Sequence, residues 1–137
     1  MAVCGLKDGD ARGAYRNINF DMRMYKRLRM YVHAEAGPDG TPLNDDDLTC
    51  FIRLGNDFEN NYYEYEIPMK VTPWNTGDED LIWPAQNHID IEFRKLQNLK
   101  IERPAGYPLF EEYEGLDSEY NARLAVKGNP NLANVVM

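Results

Sequence analysis

Apolar and polar residues alternate with a period of two along most of the chain, which is typical of strands with one buried face. The longest run covers residues 62–72. Its apolar face includes Tyr63 and Tyr65. Its polar face includes Tyr62 and Glu64. Similar runs occupy residues 17–24, 27–35, 48–54, 89–93, 123–127 and 132–137. The pattern predicts about seven short strands.

Turn-forming residues separate these runs, at 37–40, 44–47, 55–57, 73–77 and 128–131. The last of these predicts a tight connection between the final two strands. Phe93, Leu96 and Leu99 have helical spacing, which predicts a turn or two of helix. Half-buried strands with at most one or two short helices favour an all-β fold. We expect an antiparallel β-sandwich of the jelly-roll or galactose-binding-like type, formed as a single domain over residues 1–137.

The last apolar run stops at Met137 without a polar ending, which suggests a domain excised from a much longer chain. A strand cut off there would leave Val135 and Met137 without a neighbouring strand. We therefore expect this edge to pair with another chain.

Composition narrows the function classes. Hydrophobic residues make up 43% of the 137 residues, enough for a folded core. The net charge of −8 argues against nucleic acid as a partner, because an acidic surface repels phosphate. The N-terminus lacks the basic and apolar regions of a signal peptide. Cys4 and Cys50 form no CxxC pair, and whether they are joined by a disulfide stays open.

Catalytic and metal-binding motifs are weak. Ser118, the only serine, lies in an acidic stretch without a G-x-S-x-G sequence. His33 and His88 do not have the spacing of a zinc-binding helix. The acidic segments 8–13 and 45–47 lack a full set of calcium ligands, and solvated loops are the simpler interpretation. We therefore predict no enzyme activity, no catalytic residue, no metal site and no cofactor.

The polar faces of two strands supply the candidate binding residues. One strand presents Arg29, Tyr31 and His33, and the other presents Tyr62 and Glu64. If the two strands are neighbours, arginine and glutamate side chains would pair across them as a charged ladder. Alternatively, this face would bind sugar or polypeptide, because these residue types stack on and hydrogen-bond to polyols. Two tryptophans flanking the loop 75–80, Trp74 and Trp83, would add to such a site.

Several stretches resemble a known family. Residues 25–35 resemble a strand of bacterial jelly-roll domains related to carbohydrate-binding modules. The stretches RLGND at 53–57, NNYYEYEIP at 60–68, the segment 82–87 and KGNPNL at 127–132 are together similar to the SprA (Sov) family of very large outer-membrane proteins. The resemblance covers roughly residues 5–137.

The resemblance implies a role in the translocon of the type IX secretion system and in gliding motility. The chain would be a non-enzymatic, extracytoplasmic scaffold or interaction domain associated with the outer membrane, on its periplasmic or cell-surface side. Its partners would be other segments of the same large protein, accessory secretion subunits or secreted cargo. The alternative is a carbohydrate-binding jelly-roll module whose partner is a glycan.

Overall fold

The computed structural model describes residues 2–38, 40–133 and 135–137, except for the side chains of residues 18, 19 and 136. The strands in these ranges are β1 Asn17–Phe20, β2 Arg27–Tyr31, β3 Ala34–Glu35, β4 Thr49–Gly55, β5 Tyr62–Pro68, β6 Val71–Thr72, β7 His88–Glu92, β8 Tyr113–Asp117, β9 Ala122–Lys127 and β10 Val135–Val136. The α-helices are α1 Glu79–Ile82 and α2 Phe93–Glu102. Short 3-10 helices cover Met22–Met24 and Ala85–Asn87.

Six strands form the main sheet, in the order β1-β10-β4-β5-β9-β8 with antiparallel neighbours throughout. Two further pairs lie outside it: β2 with β7, antiparallel, and β3 with β6, parallel. The prediction of a mostly β fold with two short helices is confirmed. The parallel β3–β6 pair departs from the antiparallel pattern that alternation predicts.

One hydrophobic cluster joins the main sheet to the elements packed against it. The central strand β5 contributes Tyr63, Tyr65 and Ile67, as its alternation predicts. Strand β7 contributes Ile89, and α2 contributes Leu96. Full burial of each such aliphatic side chain contributes about 1.5–3 kcal/mol, so this cluster is the main source of stability.

Helix α2 is longer than the one or two turns that the sequence predicts. It covers ten residues and ends at Glu102, just before Arg103 and Pro104. Proline disfavours helical backbone in the residue before it, which explains the end point. The predicted spacing is correct, since Phe93 and Leu99 are buried. Gly115 makes room for the helix, because a Cβ there would lie 2.7 Å from Leu99 Cδ1.

The end of the chain corrects two predictions. Strand β10 lies between β1 and β4, and Val135 is fully buried. Met137 packs against the core and exchanges two backbone hydrogen bonds with Arg16. The expectation that this strand lacks a neighbour is therefore wrong. The prediction of a tight connection at 128–131 between the last two strands is also wrong, since β4 and β5 separate β9 from β10 in the sheet.

Both cysteines are free thiols. Cys4 is exposed, whereas Cys50 is half-buried on β4. Burial, assisted by the nearby Glu66 carboxylate, raises the pKa of the Cys50 thiol. Cys50 therefore behaves as a weakly reactive, partly buried packing residue.

Candidate functional site

Of the five candidate binding residues, Arg29 and Tyr31 lie on β2, and Tyr62 and Glu64 lie on β5. His33 lies between β2 and β3, since the predicted strand over 27–35 is interrupted at residues 32 and 33. Strand β2 pairs with β7, in the register Arg29 opposite Asp90 and Tyr31 opposite His88. Strand β5, which carries Tyr62 and Glu64, pairs instead with β4 and β9. The two candidate strands are therefore not neighbours, so the charged ladder that their adjacency would produce does not form between them.

Arg29 is held on β2 by a buried acid. Asp90 Oδ1 accepts a hydrogen bond of 2.7 Å from Arg27 Nε, and its Oδ2 accepts one of 3.0 Å from Arg29 Nε. Burial opposes the charge on Asp90, but the hydrogen bond from Arg27 and the charge of both arginines outweigh it and lower its pKa. The Arg29 side chain remains 62% exposed, so it is accessible at the surface.

Four rings next to Arg29 form what we call the aromatic surface: Tyr31, His33, Trp83 and His88. Tyr31 stacks on His88 with ring centroids 4.5 Å apart and an interplanar angle of 8°. Trp83 contacts Tyr31 and His33 edge-on, with centroid distances of 6.1 and 5.8 Å. Tyr31 is 62% exposed and Trp83 is 49% exposed. The surface thus presents a tyrosine and a tryptophan whose positions are fixed by ring contacts.

The backbone explains why these rings meet. Cross-strand register places Tyr31 beside His88 on the β2–β7 pair. Trp83 caps the C-terminus of the one-turn helix α1, where its backbone N–H donates to the Glu79 carbonyl. Asp78 caps the other end by accepting from the Asp80 N–H, as acidic N-caps do. The helix therefore fixes where the tryptophan lies.

The two histidines of the aromatic surface differ in their polar contacts. His33 Nε2 lies 3.7 Å from Glu35 Oε2. His88 Nε2 is buried and has no hydrogen-bond partner in the described part of the chain. Trp74 is 56% exposed but makes no ring contact with the aromatic surface in the described ranges. Of the two tryptophans, therefore, it is Trp83 that joins the site.

Tyr62 and Glu64 lie on the opposite face of β5 from the core residues and are nevertheless buried. The Glu64 side chain is 5% exposed and accepts hydrogen bonds from Arg53 and, at 2.7 Å, from Arg123 Nη1. The Tyr62 hydroxyl donates to Glu112. The Arg53 guanidinium lies 4.3 Å from the centre of the Tyr62 ring. These five residues make a closed network, which we call the ionic network.

Arg123 is the branching point of the ionic network. It also pairs with Glu112 at 2.8 Å, Glu114 at 3.1 Å and Glu66 at 3.5 Å. Burial disfavours its charge, but Glu64 and the other carboxylates outweigh burial and raise its pKa. A charged ladder therefore does exist on this face, built from Arg53 and Arg123 rather than from the arginines of β2.

Three of the stretches that carry the family resemblance, 53–57, 60–68 and 127–132, meet at one end of the main sheet. Asp57 Oδ1 accepts from the backbone N–H groups of Asn60 and Asn61 at 2.5 and 2.9 Å. Asn61 Oδ1 in turn accepts from the Asn129 N–H at 3.1 Å. Gly128 has a positive φ of 66°, and a Cβ there would collide with the Asn60 carbonyl. These stretches therefore serve to fix the loops.

Asp57 is the main acceptor at this junction. The hydrogen bond from the Asn61 side chain, followed by those from backbone N–H groups, lowers the pKa of Asp57 to about 2. Its carboxylate is consequently charged over the whole physiological pH range.

The acidic loops are occupied by hydrogen bonds of their own. Asp45 accepts from the Val71 N–H at 2.9 Å, and Asp47 accepts from the Asn44 N–H at 2.7 Å. Asp10 accepts from the Lys7 N–H at 3.3 Å. No group of three or more metal-ligating side chains occurs among the described residues.

None of the described helices is long and apolar enough to cross a membrane.

Sequence reasoning missed several residues of both sites. His88 gave no signal, because only the register of β2 with β7 brings it under Tyr31. Glu112 lies outside the alternating runs, yet it binds Tyr62 and Arg123 across 50 and 11 positions of the chain. The alternation of 48–54 places Arg53 on a polar face, and that signal was available.

A known protein family matches the whole chain. The family model SprA_N, described as a motility related/secretion protein, matches residues 1–137. No match is found among the curated proteins. The resemblance seen in the sequence is thus confirmed, and the chain belongs to the SprA_N family of motility related/secretion proteins.

Proposed function

We propose that this chain is a non-enzymatic scaffold or interaction domain of an SprA-like outer-membrane protein that serves type IX secretion and gliding motility. The family match over residues 1–137 supports the link to motility and secretion. The exposed aromatic surface carries the interaction role, since Tyr31 and Trp83 are 62% and 49% exposed while held by ring contacts. Exposed clustered aromatics are typical of sites that bind other molecules.

In this proposal the domain is a β-sandwich with the main sheet as one layer. The β2–β7 pair and α2 form the second layer, supported by the hydrophobic cluster in which β5, β7 and α2 all take part. A jelly-roll or galactose-binding-like ancestry belongs to the same proposal. So does an extracytoplasmic position at the outer membrane, with segments of the same long protein, accessory subunits or secreted cargo as partners.

The test is made in the source bacterium. A chromosomal Tyr31→Ala/Trp83→Ala double substitution should reduce the amount of secreted protein in the medium and the spreading of colonies on agar, with unchanged abundance of the full protein. The matched control is Tyr15→Ala, which removes a tyrosine that is 78% exposed and lies outside the aromatic surface. Normal secretion and spreading in the double variant would contradict the proposed role of this surface.

A second candidate function is glycan binding at the aromatic surface. Tyr31 and Trp83 present ring faces or edges for stacking on a sugar, with Arg29 and His33 as neighbouring hydrogen-bond donors. Tyr62 and Glu64 take no part in this version, because both are buried in the ionic network. Screening the chain against a glycan library by thermal shift tests it, since a bound glycan raises the melting temperature.

A further inference from the structure

A second surface, distinct from the aromatic surface, is a groove between the 3-10 helix Met22–Met24 and α2. The groove has a volume of about 960 Å³. Met22, Tyr63 and Leu132, all buried core residues, form part of its lining. Two apolar side chains at its rim are open to solvent: Tyr25 is 53% exposed and Ile101 is 80% exposed.

The groove is basic although the chain is acidic. Five of the 15 lysines and arginines line it, against one of the 23 acids, Glu92. The five are Arg23, Lys26, Arg27, Arg94 and Lys100. Positive charge is therefore concentrated here while the rest of the molecule carries a strong excess of negative charge.

Three of the five cations are not neutralised by an acid within the described residues. Arg23 pairs with Asp21 and Arg27 pairs with Asp90. Lys26 and Arg94 form no ion pair in the described ranges, and both are exposed.

Lys100 is in an unfavourable environment for a cation. Its Nζ donates to the Pro130 carbonyl at 2.7 Å, a neutral partner. Burial, together with repulsion from Arg103, lowers its pKa. An anion bound in the groove would relieve that repulsion.

One face of α2 lines the groove with a row of basic, amide and apolar side chains. Arg94, Gln97, Asn98 and Ile101 have the spacing of a single helix face, and all four line the groove. The first turn of α2 contains no acidic residue, and Glu92 makes no side-chain capping bond to it.

We propose that this groove binds an acidic segment of polypeptide that also carries apolar side chains. Lys26, Arg94 and Lys100 would bind its carboxylates, and Tyr25 and Ile101 would contact its apolar side chains. The amides of Gln97 and Asn98 both donate and accept, as a peptide backbone requires. A nucleic acid matches the cations only, and the acidic remainder of the surface repels it.

The proposal deepens the interaction role proposed above by naming a partner chemistry, but it uses other residues. Fluorescence anisotropy of the chain with a fluorescein-labelled random copolymer of glutamate and tyrosine tests it. We expect saturable binding whose affinity falls as salt is added. The double substitution Lys26→Glu/Arg94→Glu should raise the Kd for the copolymer by about tenfold or more. Ile101→Ser should weaken binding by a smaller factor, because it removes apolar contact and no charge.

The matched control is Lys7→Glu/Arg12→Glu, which makes the same change in net charge at exposed residues outside the groove. It should change the affinity by less than about twofold, since it acts only through screened long-range charge. Thermal melts show whether each variant is folded.

Three results would overturn the proposal: no binding of the copolymer, equal weakening by the control variant, or tighter binding of an oligodeoxythymidylate of similar charge. The last result would identify the groove as a site for phosphate polyanions. None of these bears on the secretion and spreading phenotype of the Tyr31→Ala/Trp83→Ala variant, so failure of the two proposals can be told apart.

Discussion

The aromatic surface and the ionic network contain similar residue types but differ in what their side chains have left to bind. Beside the aromatic surface, Arg29 of β2 pairs with Asp90 of β7. Inside the ionic network, Arg53 and Arg123 pair with Glu64 of β5. In the ionic network the charges neutralise one another, and Tyr62 and Glu64 are 2% and 4% exposed. At the aromatic surface Tyr31 is 62% exposed and Trp83 is 49% exposed.

The difference lies in neighbouring strands rather than in the residues themselves. Strand β5 has a strand on each side, so Arg53 and Arg123 approach Glu64 from both. Strand β2 has β7 as its one partner in the described sheets. Flanking strands provide partners for polar side chains, and a strand with one neighbour leaves part of its face available. The ionic network therefore stabilises the fold, and the aromatic surface is open to a ligand.

The largest expected effect is that of breaking the ionic network. Glu64→Ala leaves Arg53 and Arg123 partly buried without their shared acceptor, which should lower the free energy of unfolding by about 3–5 kcal/mol. Urea denaturation measures this loss, provided that the dependence of the unfolding free energy on urea concentration is unchanged in the variant. The control is Glu66→Ala, two residues along the same strand, where the contact to Arg123 is 3.5 Å. It should cost less than about 1 kcal/mol, and equal losses would contradict the distinction.

The loop junction at Asp57 should give the next largest effect. Asp57→Ala removes the acceptor of three backbone N–H groups and of one side-chain amide, at a cost of about 2 kcal/mol near pH 7. The pKa of Asp57 is lower in the folded state, about 2, than its usual 3.8. Its contribution is thus fully present above pH 3.8 and is lost as the pH falls to about 2.

Unfolding measured from neutral to acid pH tests this second prediction. The stability difference between wild type and Asp57→Ala should shrink as the pH falls below the usual aspartate pKa. Glu59→Ala, at an exposed neighbour, is the control and should change the free energy of unfolding at neutral pH by less than about 0.5 kcal/mol. A constant difference across the range would mean that the carboxylate charge does not fix this loop.

Local patterns predicted the strands well and the contacts between them poorly. Alternation in 62–72 correctly assigned the core face of β5, because that pattern depends on local backbone geometry. Which strands are neighbours depends on the whole chain, so the pairing of Arg29 with Asp90 could not be read from spacing.

Two elements lay beyond the pattern for specific reasons. Strand β8 contains Gly115 and has an exposed Leu116, so its hydrophobic alternation is broken. Helix α1 is one turn long and buries no residue, which leaves no periodic signal. The position of Trp83 depends on that helix, and so the aromatic surface was only partly predictable.

Removing single hydroxyl groups sharpens the comparison between the two tyrosines. Tyr62→Phe deletes the hydrogen bond to Glu112 inside the ionic network and should cost about 1.5 kcal/mol. Tyr31→Phe removes a hydroxyl from a side chain that is 62% exposed, so the effect should be within about 0.5 kcal/mol. Thermal and urea unfolding of both variants measures the pair. A larger loss of stability from Tyr31→Phe than from Tyr62→Phe would mean that the Tyr31 hydroxyl stabilises the fold.

Truncation of Tyr31 is expected to change stability little and to be the most informative substitution about function. Tyr31→Ala loses the stacking contact with His88 but little buried area, and should lower stability by less than about 1 kcal/mol. If a glycan binds the aromatic surface, wild type at a hundred times Kd gains about 2.7 kcal/mol, a melting shift of roughly 8–10 °C for a chain of this size. Tyr31→Ala should lose that shift while remaining folded. A shift that survives the substitution would locate the glycan elsewhere, and the absence of any shift in wild type would leave the aromatic surface to a protein partner.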